Sequence, residues 1–419
     1  MLRERFAALL QSLGPFSSST HFAVALSGGA DSLALTLLMQ EYVAQHGGHI
    51  TALTVDHRLR KESTEEAQRV AAMMHDQGMA HHILTPAHDT SSNNLQEAAR
   101  HWRYRALSDY CHAQGILHCL VAHNAGDNRE TVAHNEARGD TVDGISGMRS
   151  SHTLHGIRFL RPLLITERAE LEAFLRSKKM AWIDDPSNTN PAFARVRTRD
   201  RLRHAPEECA ALDATLIAHR PLRTMRDDAL ALAAMQAVTI HPLGFAEMNL
   251  AHWRGLDEPL ASQLVADCLT TIGGATSRPR GSDTRRLAHA LRAPFTRRTL
   301  HQCELTLHGD HVRIARELAR VAAPIALTGN GETCWDGRFI IRHAIPAGTC
   351  YTLAALGNHG RKQAIARWGA VGDVAPSTPA LWHLDELLYV PHIEVPHRVA
   401  EQVVIRFCPP KPLAAAPFW

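Results

Sequence analysis

The first half of the chain reads as an α/β fold built on a doubly wound parallel sheet. Apolar runs of strand length alternate with helical patterns from residue 22 to residue 138. That is the spacing at which parallel strands alternate with crossover helices. The first of these runs, Phe-Ala-Val-Ala-Leu at 22–26, passes straight into Ser27-Gly28-Gly29-Ala30-Asp31-Ser32 and then into a helical stretch. After residue 204 the character changes to Ala/Leu/His-rich helical stretches, and from about 300 to short strand-like runs separated by Gly and Pro.

The elements follow in order. Residues 22–26 are too apolar for a surface segment and suit a buried parallel strand, and Leu33, Leu35, Leu37 and Leu38 give the next segment, 31–45, its helical character. A strand at 50–55, a helix at 62–77, a strand at 81–85, a helix at 94–113, a strand at 117–122 and a helix at 128–138 continue the alternation. A further helix at 166–179 leads into Trp182-Ile-Asp-Asp-Pro-Ser-Asn188. Three domains are expected: the α/β domain at 1–204, a helical linker domain at 205–293 and a mixed, β-rich C-terminal domain at 294–419. There is no internal repeat and no low-complexity tract.

Composition bounds the partners. A chain of 419 residues is long enough for two or three cored domains, and a net charge of only +3 means that affinity for nucleic acid must come from local patches. Only five of the 45 basic residues are lysines, which favours guanidinium forks for phosphate but is equally produced by a GC-rich genome. The eight cysteines are scattered without a Cys-x-x-Cys pair, so reduced structural thiols in a cytoplasmic protein are expected. Cys111, His112, His118, Cys119 and His123 crowd together, but most fall on a helix end and a buried strand rather than in a metal-ligand spacing. No apolar run approaches membrane length and no h-region follows Met1, so no membrane association is expected.

The turn at 27–32 sits at a helix N-terminus, where backbone N–H groups are unpaired and the dipole is positive. Gly28 and Gly29 let the backbone close around an anion, and Ser27 and Ser32 add hydroxyl donors. Asp31 beside a phosphate calls for a divalent cation between them, which assigns it a Mg²⁺-side role; the plainer reading is a helix cap behind a glycine turn. Ligands in such sheets bind beyond the carboxyl ends of the strands, and there stand Ser27, then Asp56-His57, where an adenosine ribose or base would lie, then His123.

His123 opens a second constellation. Asp127 and Glu130 are three apart on a helix and share a face, fit for a substrate ammonium or Mg²⁺, while His123 is placed to hydrogen-bond a phosphate or leaving group. Two acids in a first turn also simply complement a helix dipole. Arg100, Arg103 and Tyr104 occupy adjoining helical positions where the arginines could brace phosphates or merely face solvent. Two arginine stripes offer surfaces for a nucleic-acid backbone: 195–203, with five arginines including Arg195 and Arg199, and 278–298, with seven including Arg286 and Arg292.

The loop at 27–32 lacks a Gly-Lys-Ser/Thr ending and resembles the pyrophosphate (PP) loop of the N-type ATP pyrophosphatases. With Val55-Asp56-His57, Leu59-Arg60, Ala99-Arg100, Arg103-Tyr104, His123, Asp127, Glu130-Thr131, Arg138-Gly139, Gly144-Ile-Ser-Gly147-Met148, Arg161-Pro162-Leu163-Leu164, Asp184-Asp185, Ser187-Asn188, Arg195 and Arg199 in the same order, residues 20–200 resemble the tRNA(Ile)-lysidine synthetase family. Leu307-His308-Gly309 to Ala315-Arg316-Glu317 and Trp335-Asp336-Gly337-Arg338-Phe339 look like the C-terminal part of proteobacterial members.

The resemblance implies a reaction. ATP adenylates the C2 oxygen of the wobble cytidine in the CAU anticodon of tRNA(Ile), pyrophosphate leaves, and the ε-amine of free L-lysine attacks C2 to give lysidine and AMP. It also implies that residues 27–32 bind ATP, that Asp31 helps to place Mg²⁺, that Asp127 and Glu130 orient the lysine amine or the metal, and that Arg100 steadies the adenylated intermediate. Three departures from the family pattern stand out: Gly126 where an acid is usual, Arg58 where a glycine is usual, and Val196 in place of an asparagine. The rivals are a tRNA cytidine thiolase, which would want paired cysteines, an amidotransferase-type relative, and a degenerate non-catalytic tRNA-binding protein. The intact loop with Asp127 and Glu130 argues against the last. The sequence leaves the oligomeric state open, a homodimer included.

Overall fold

A computed structural model describes residues 1–58, 62–85, 95–137, 142–183, 194–369, 375–391 and 402–413. The chain divides into two compact units, Met1–Met225 and a second from Arg226 onward. Leu59-Arg60, Arg138-Gly139, Asp184-Asp185 and Ser187-Asn188 lie outside the described residues, as does the side chain of Arg195.

The first unit contains α1 (Leu2–Gln11), β1 (His21–Ala25), α2 (Ala30–His46), β2 (His49–Val55), α3 (Ser63–Asp76), β3 (His81–Leu84), α4 (Leu95–Ala113), β4 (His118–Leu120), α5 (Ala125–Ala137), α6 (Val142–Ile145), β5 (Ser151–Leu154), β6 (Ile157–Leu160), α7 (Arg168–Ser177), α8 (Ala194–Arg203) and the start of α9 (Pro206–Ala237). The six strands form one sheet in the order β3-β2-β1-β4-β6-β5. Every pairing is parallel except β5 on β6.

Central β1 is buried on both faces, as its sequence requires. Phe22 and Val24 point into a core shared with Leu33, Leu37 and Leu38 of α2 and with Leu171 and Leu175 of α7. Ala23, one residue out of phase, joins Leu53, Cys119 and Phe159 against Tyr104 and Leu107 of α4 on the other face. Helix α2 is buried on nearly every side, so its apolar residues do not confine themselves to one stripe. The chain leaves β1 toward β2 on one side while β4 flanks β1 on the other, which opens a crevice at the carboxyl ends of β1 and β4.

A third cluster extends the unit beyond 204. Leu212 and Leu216 of α9 pack with Leu202 of α8 on Val132 and Ala133 of α5, and the division between the units falls inside α9.

The second unit has β7 (Val238–His241), β8 (Phe245–Asn249), α10 (Leu250–Arg254), α11 (Glu258–Ile272), α12 (Gly281–Arg292), β9 (Arg297–Leu300), β10 (Cys303–His308), β11 (His311–Arg316), β12 (Ile325–Leu327), β13 (Asn330–Trp335), β14 (Phe339–Ala344), β15 (Tyr351–Ala355), α13 (Gly357–Trp368), β16 (Pro379–His383), β17 (Glu386–Tyr389) and β18 (Val403–Phe407). Strands β7-β8-β11-β10-β9 form an antiparallel sheet whose core holds Trp253, Leu264, Leu291, Leu305 and Ile314. The helices before residue 293 and the strands after it therefore share one core, and β7 and β8 lie within a region expected to be helical. Two further sheets, β12-β15-β16-β17 and β13-β14-β18, follow. No helix among the described residues is long and apolar enough to cross a membrane.

Candidate active site

A cavity of about 540 Å³ opens at the carboxyl ends of β1, β2 and β4. Ser27, Gly29, Ala30, Asp31, Ser32, His57, Arg103, His123, Asp127 and Arg199 line it, joined by Arg168.

The glycine turn is closed by its own hydrogen bonds. The Ser32 hydroxyl donates to Gly29 O at 3.0 Å and accepts from Ser27 N–H at 3.1 Å, which closes the loop on itself. Gly28 has φ +86°, a left-handed value suited to glycine, and its carbonyl accepts from Ile183 N–H at 3.0 Å. Gly29 caps α2, and no side chain caps that end. The first N–H groups of α2 thus face the cavity without a side-chain acceptor, the arrangement that receives phosphate.

Asp31 stands in the first turn of α2. Its Oδ1 is buried without a hydrogen-bond partner, and Oδ2 lies 4.0 Å from Arg168 Nη1. Burial, helped by the charge of Asp127, holds its carboxyl above the usual range, while Arg168, Asn124 and Arg199 partly offset this. An unsatisfied carboxylate oxygen beside a phosphate cradle fits a Mg²⁺ ion that ATP phosphates would complete; the described residues contain no cluster of three or more His, Cys, Asp or Glu able to hold a metal by themselves.

Asp127 does two things at once. Its Oδ2 accepts the Asn124 N–H at 3.1 Å while Asn124 Oδ1 accepts the Asp127 N–H at 3.1 Å, a reciprocal cap on α5. Its Oδ1 takes Arg199 Nη2 at 3.2 Å. Glu130, only 7% exposed, receives Arg199 Nε at 2.6 Å. The two acids share a face as their spacing requires, and the cation they hold in the free protein comes from α8, 69 residues away.

His123 follows β4. Its Nδ1 accepts from Arg161 Nε at 3.2 Å, and burial together with Arg161, Arg103, Arg100 and His152 holds the ring far below the ordinary histidine pKa. Arg100 is exposed and lies over the Tyr104 ring at 5.1 Å, off the cavity wall, whereas Arg103, 5.6 Å from the same ring, is on it.

Asp56 does not line the cavity. Its Oδ1 accepts Arg58 N–H at 3.0 Å and its Oδ2 the Thr64 hydroxyl at 2.7 Å, so its carboxylate is engaged by these two residues and the cavity wall is left to His57. In the second unit Arg286 is exposed beside Asp283, at 2.5 Å. Arg292 instead donates to the carbonyls of Arg254 and Leu256 and covers the Trp253 ring at 5.2 Å. Arg168, Asn124 and Arg161 are the site residues that sequence reasoning left without a role. Arg168 and Arg161 act through partners on other elements, whereas Asn124 acts through the reciprocal cap it forms with Asp127 three residues on.

A family model described as a PP-loop domain matches residues 2–205. The tRNA(Ile)-lysidine synthase of Anaplasma marginale is 30% identical over 92% of this chain and 88% of its own length. The chain belongs to the tRNA(Ile)-lysidine synthase family. The enzyme of that name from Hyphomonas neptunium is 34% identical over 78% of this chain and 92% of its own length. The tRNA(Ile)-lysidine synthase of Orientia tsutsugamushi is 30% identical over 80% and 78%. The family match covers the glycine turn and the acid pair alike, and the relatives reach into the second unit.

Proposed function

We infer that this chain is an ATP-dependent ligase that joins free L-lysine to C2 of the wobble cytidine in the CAU anticodon of a tRNA(Ile), releasing AMP and pyrophosphate. One observation carries the reading: within a member of this family, a phosphate-receiving helix terminus lines the same cavity as Asp127, an acid that shares the Arg199 guanidinium with the buried Glu130.

The residues divide the work by their chemistry. The N–H groups at the start of α2 bind the β- and γ-phosphates, which keeps the leaving pyrophosphate oriented as its charge develops. Asp31 would hold a Mg²⁺ ion, whose charge would supply neutralisation for the leaving group. Arg103 faces the same anions. The cytidine oxygen attacks the α-phosphorus and pyrophosphate departs. The bound lysine ammonium first gives a proton to a carboxylate of the Asp127–Glu130 pair. The amine so freed forms the new bond at C2, the C2–O bond to AMP breaks with its bonding electrons leaving on AMP, and the second nitrogen proton passes to water. That pair already accepts a many-donor cation, the guanidinium of Arg199, and a lysine ammonium presents donors of the same kind. The arginines of α8 and α12 supply backbone contacts to tRNA.

A cytidine thiolase would require sulfur carriers. Of the described cysteines, Cys111, Cys119, Cys268 and Cys303 are buried in cores and none of the eight lines the cavity. The deciding experiment is incorporation of labelled lysine into a CAU-anticodon tRNA(Ile) transcript with ATP and Mg²⁺, using tRNA(Met) as control. Labelling of tRNA(Ile) alone with AMP release is expected; pyrophosphate release without lysine transfer would overturn the choice of nucleophile.

A further inference from the structure

Arg161 stands directly after β6 with its side chain buried, and among the described residues no carboxylate pairs with it. Burial of an arginine without an acid is costly, so its donors must be occupied by something else. One goes to the carbonyl of Arg149 at 2.8 Å, and its Nε–H goes to His123 Nδ1 at 3.2 Å.

The second contact decides a proton. A guanidinium has five N–H donors and no acceptor, so in this bond the imidazole nitrogen accepts. A neutral histidine whose Nδ1 accepts carries its hydrogen on Nε2. The tautomer follows from the partner alone.

We propose that Arg161 is a positioning residue of this cavity: by donating to Nδ1 it fixes His123 as the Nε2–H tautomer, so the ring meets phosphate oxygen as a neutral hydrogen-bond donor and transfers no proton to it. The identity of the anion rests on the reading that the cavity holds ATP.

The surroundings favour the same state. From α4 come Arg100 and Arg103, from β5 His152, and from the segment after β6 Arg161; the acid on α5, Asp127, already has the Arg199 guanidinium. A proton added to His123 would join three guanidinium charges. A neutral donor keeps its hydrogen bond throughout the reaction and strengthens it as negative charge grows on the leaving group.

The test uses the full chain. In ¹⁵N spectra of the histidine rings, the signals lost in His123→Gln assign this residue. Wild type should show a neutral ring protonated at Nε2, whereas Arg161→Met should show the hydrogen shared between Nδ1 and Nε2 and a ring that takes up a proton more readily than in wild type. Pyrophosphate release from ATP, driven by a tRNA(Ile) transcript, should fall more steeply toward acid pH in Arg161→Met than in wild type. His123→Gln, which retains an N–H donor and cannot become a cation, should stay within about tenfold of wild type, and His123→Ala should lose about 100-fold. Equal losses in both His123 variants would overturn the proposal in favour of proton transfer, as would an Arg161→Met protein with unchanged spectra and pH profile. If Arg161→Met does not fold, the His123 pair decides. If wild type releases no pyrophosphate, the ATP reading fails while the ring spectra still report whether Arg161 fixes the tautomer.

Discussion

At the scale of single residues, backbone angle separates the two glycines of the loop. Gly28 has φ +86°, and a Cβ there would sit 2.7 Å from Val70 Cγ2 and 3.2 Å from Ile183 Cδ1. Gly29 has φ −71°, and a Cβ would meet nothing closer than 3.7 Å. Gly28→Ala should therefore cost about 2–4 kcal/mol from left-handed strain and overpacking, and Gly29→Ala almost nothing. Thermal melts of the two variants check this, and equal melting temperatures would contradict it. Arg58, where the family pattern has glycine, sits at φ +50°. Arg58→Gly should relieve about 1 kcal/mol of strain and raise the melting temperature. Glu130→Gln keeps the shape of the pair but removes the charge that faces Arg199; it should raise the KM for lysine at least tenfold and leave the ATP dissociation constant within about twofold. An unmoved lysine KM would take Glu130 out of the amine site.

Elements impose their own logic on the arginine stripes. Helix α12 presents Arg285 and Arg286 to solvent, and Arg292, at its last turn, ties the end of α10 through two carbonyls. The Arg285→Ala, Arg286→Ala double variant should lower tRNA affinity and reduce the slope of log K against log salt by about 2 without changing the melting temperature. Arg292→Ala should instead destabilise the second unit by about 1–2 kcal/mol through lost hydrogen bonds and the uncovered Trp253 ring. Salt titrations of tRNA binding beside melts of both proteins separate the two roles. A salt slope unchanged in the double variant would remove α12 from the RNA surface. Helix α5 shows the same economy, since Asp127 both caps it and faces the cavity.

For the whole molecule, pH is the revealing variable. His118 and His155, both in the first unit, are pushed down to about 4 by burial, reinforced by Arg158 for the former and by Arg105, His101 and His112 for the latter. Unfolded histidines titrate near 6.5. Between pH 6.5 and 4 the unfolded chain thus binds more protons than the native one, and stability falls as pH falls through that window, by up to about 1.4 kcal/mol per unit for each ring. Below 4 these two groups add no further loss. Calorimetry at pH 7.5, 6 and 5 should show the melting temperature dropping by several degrees, and His118→Phe, an apolar ring set against Phe16 and Phe22, should flatten part of the drop. A melting temperature constant across that range would contradict the assignment.

The local grammar of the first unit is legible in consecutive residues. Strands expected at 22–26, 50–55 and 81–85 are found as His21–Ala25, His49–Val55 and His81–Leu84, and the helix at 31–45 as Ala30–His46. A buried parallel strand must be apolar along its length, and a phosphate loop must carry its glycines and hydroxyls side by side, so both are written in consecutive residues. The β5–β6 hairpin and the strands β7 and β8 were not legible, because strands of four or five residues in mixed or Ala/His-rich segments lack a clear period. Which side chains meet is set by the packing of distant elements. Sheet order brings Arg199 to Glu130, Arg161 to His123 and Arg168 to Asp31, and turns Asp56 toward Thr64 and away from the cavity. Burial and hydrogen bonding along the backbone depend on a residue's neighbours in sequence, whereas an ion pair across the cavity depends on strand order and register, which no single segment encodes.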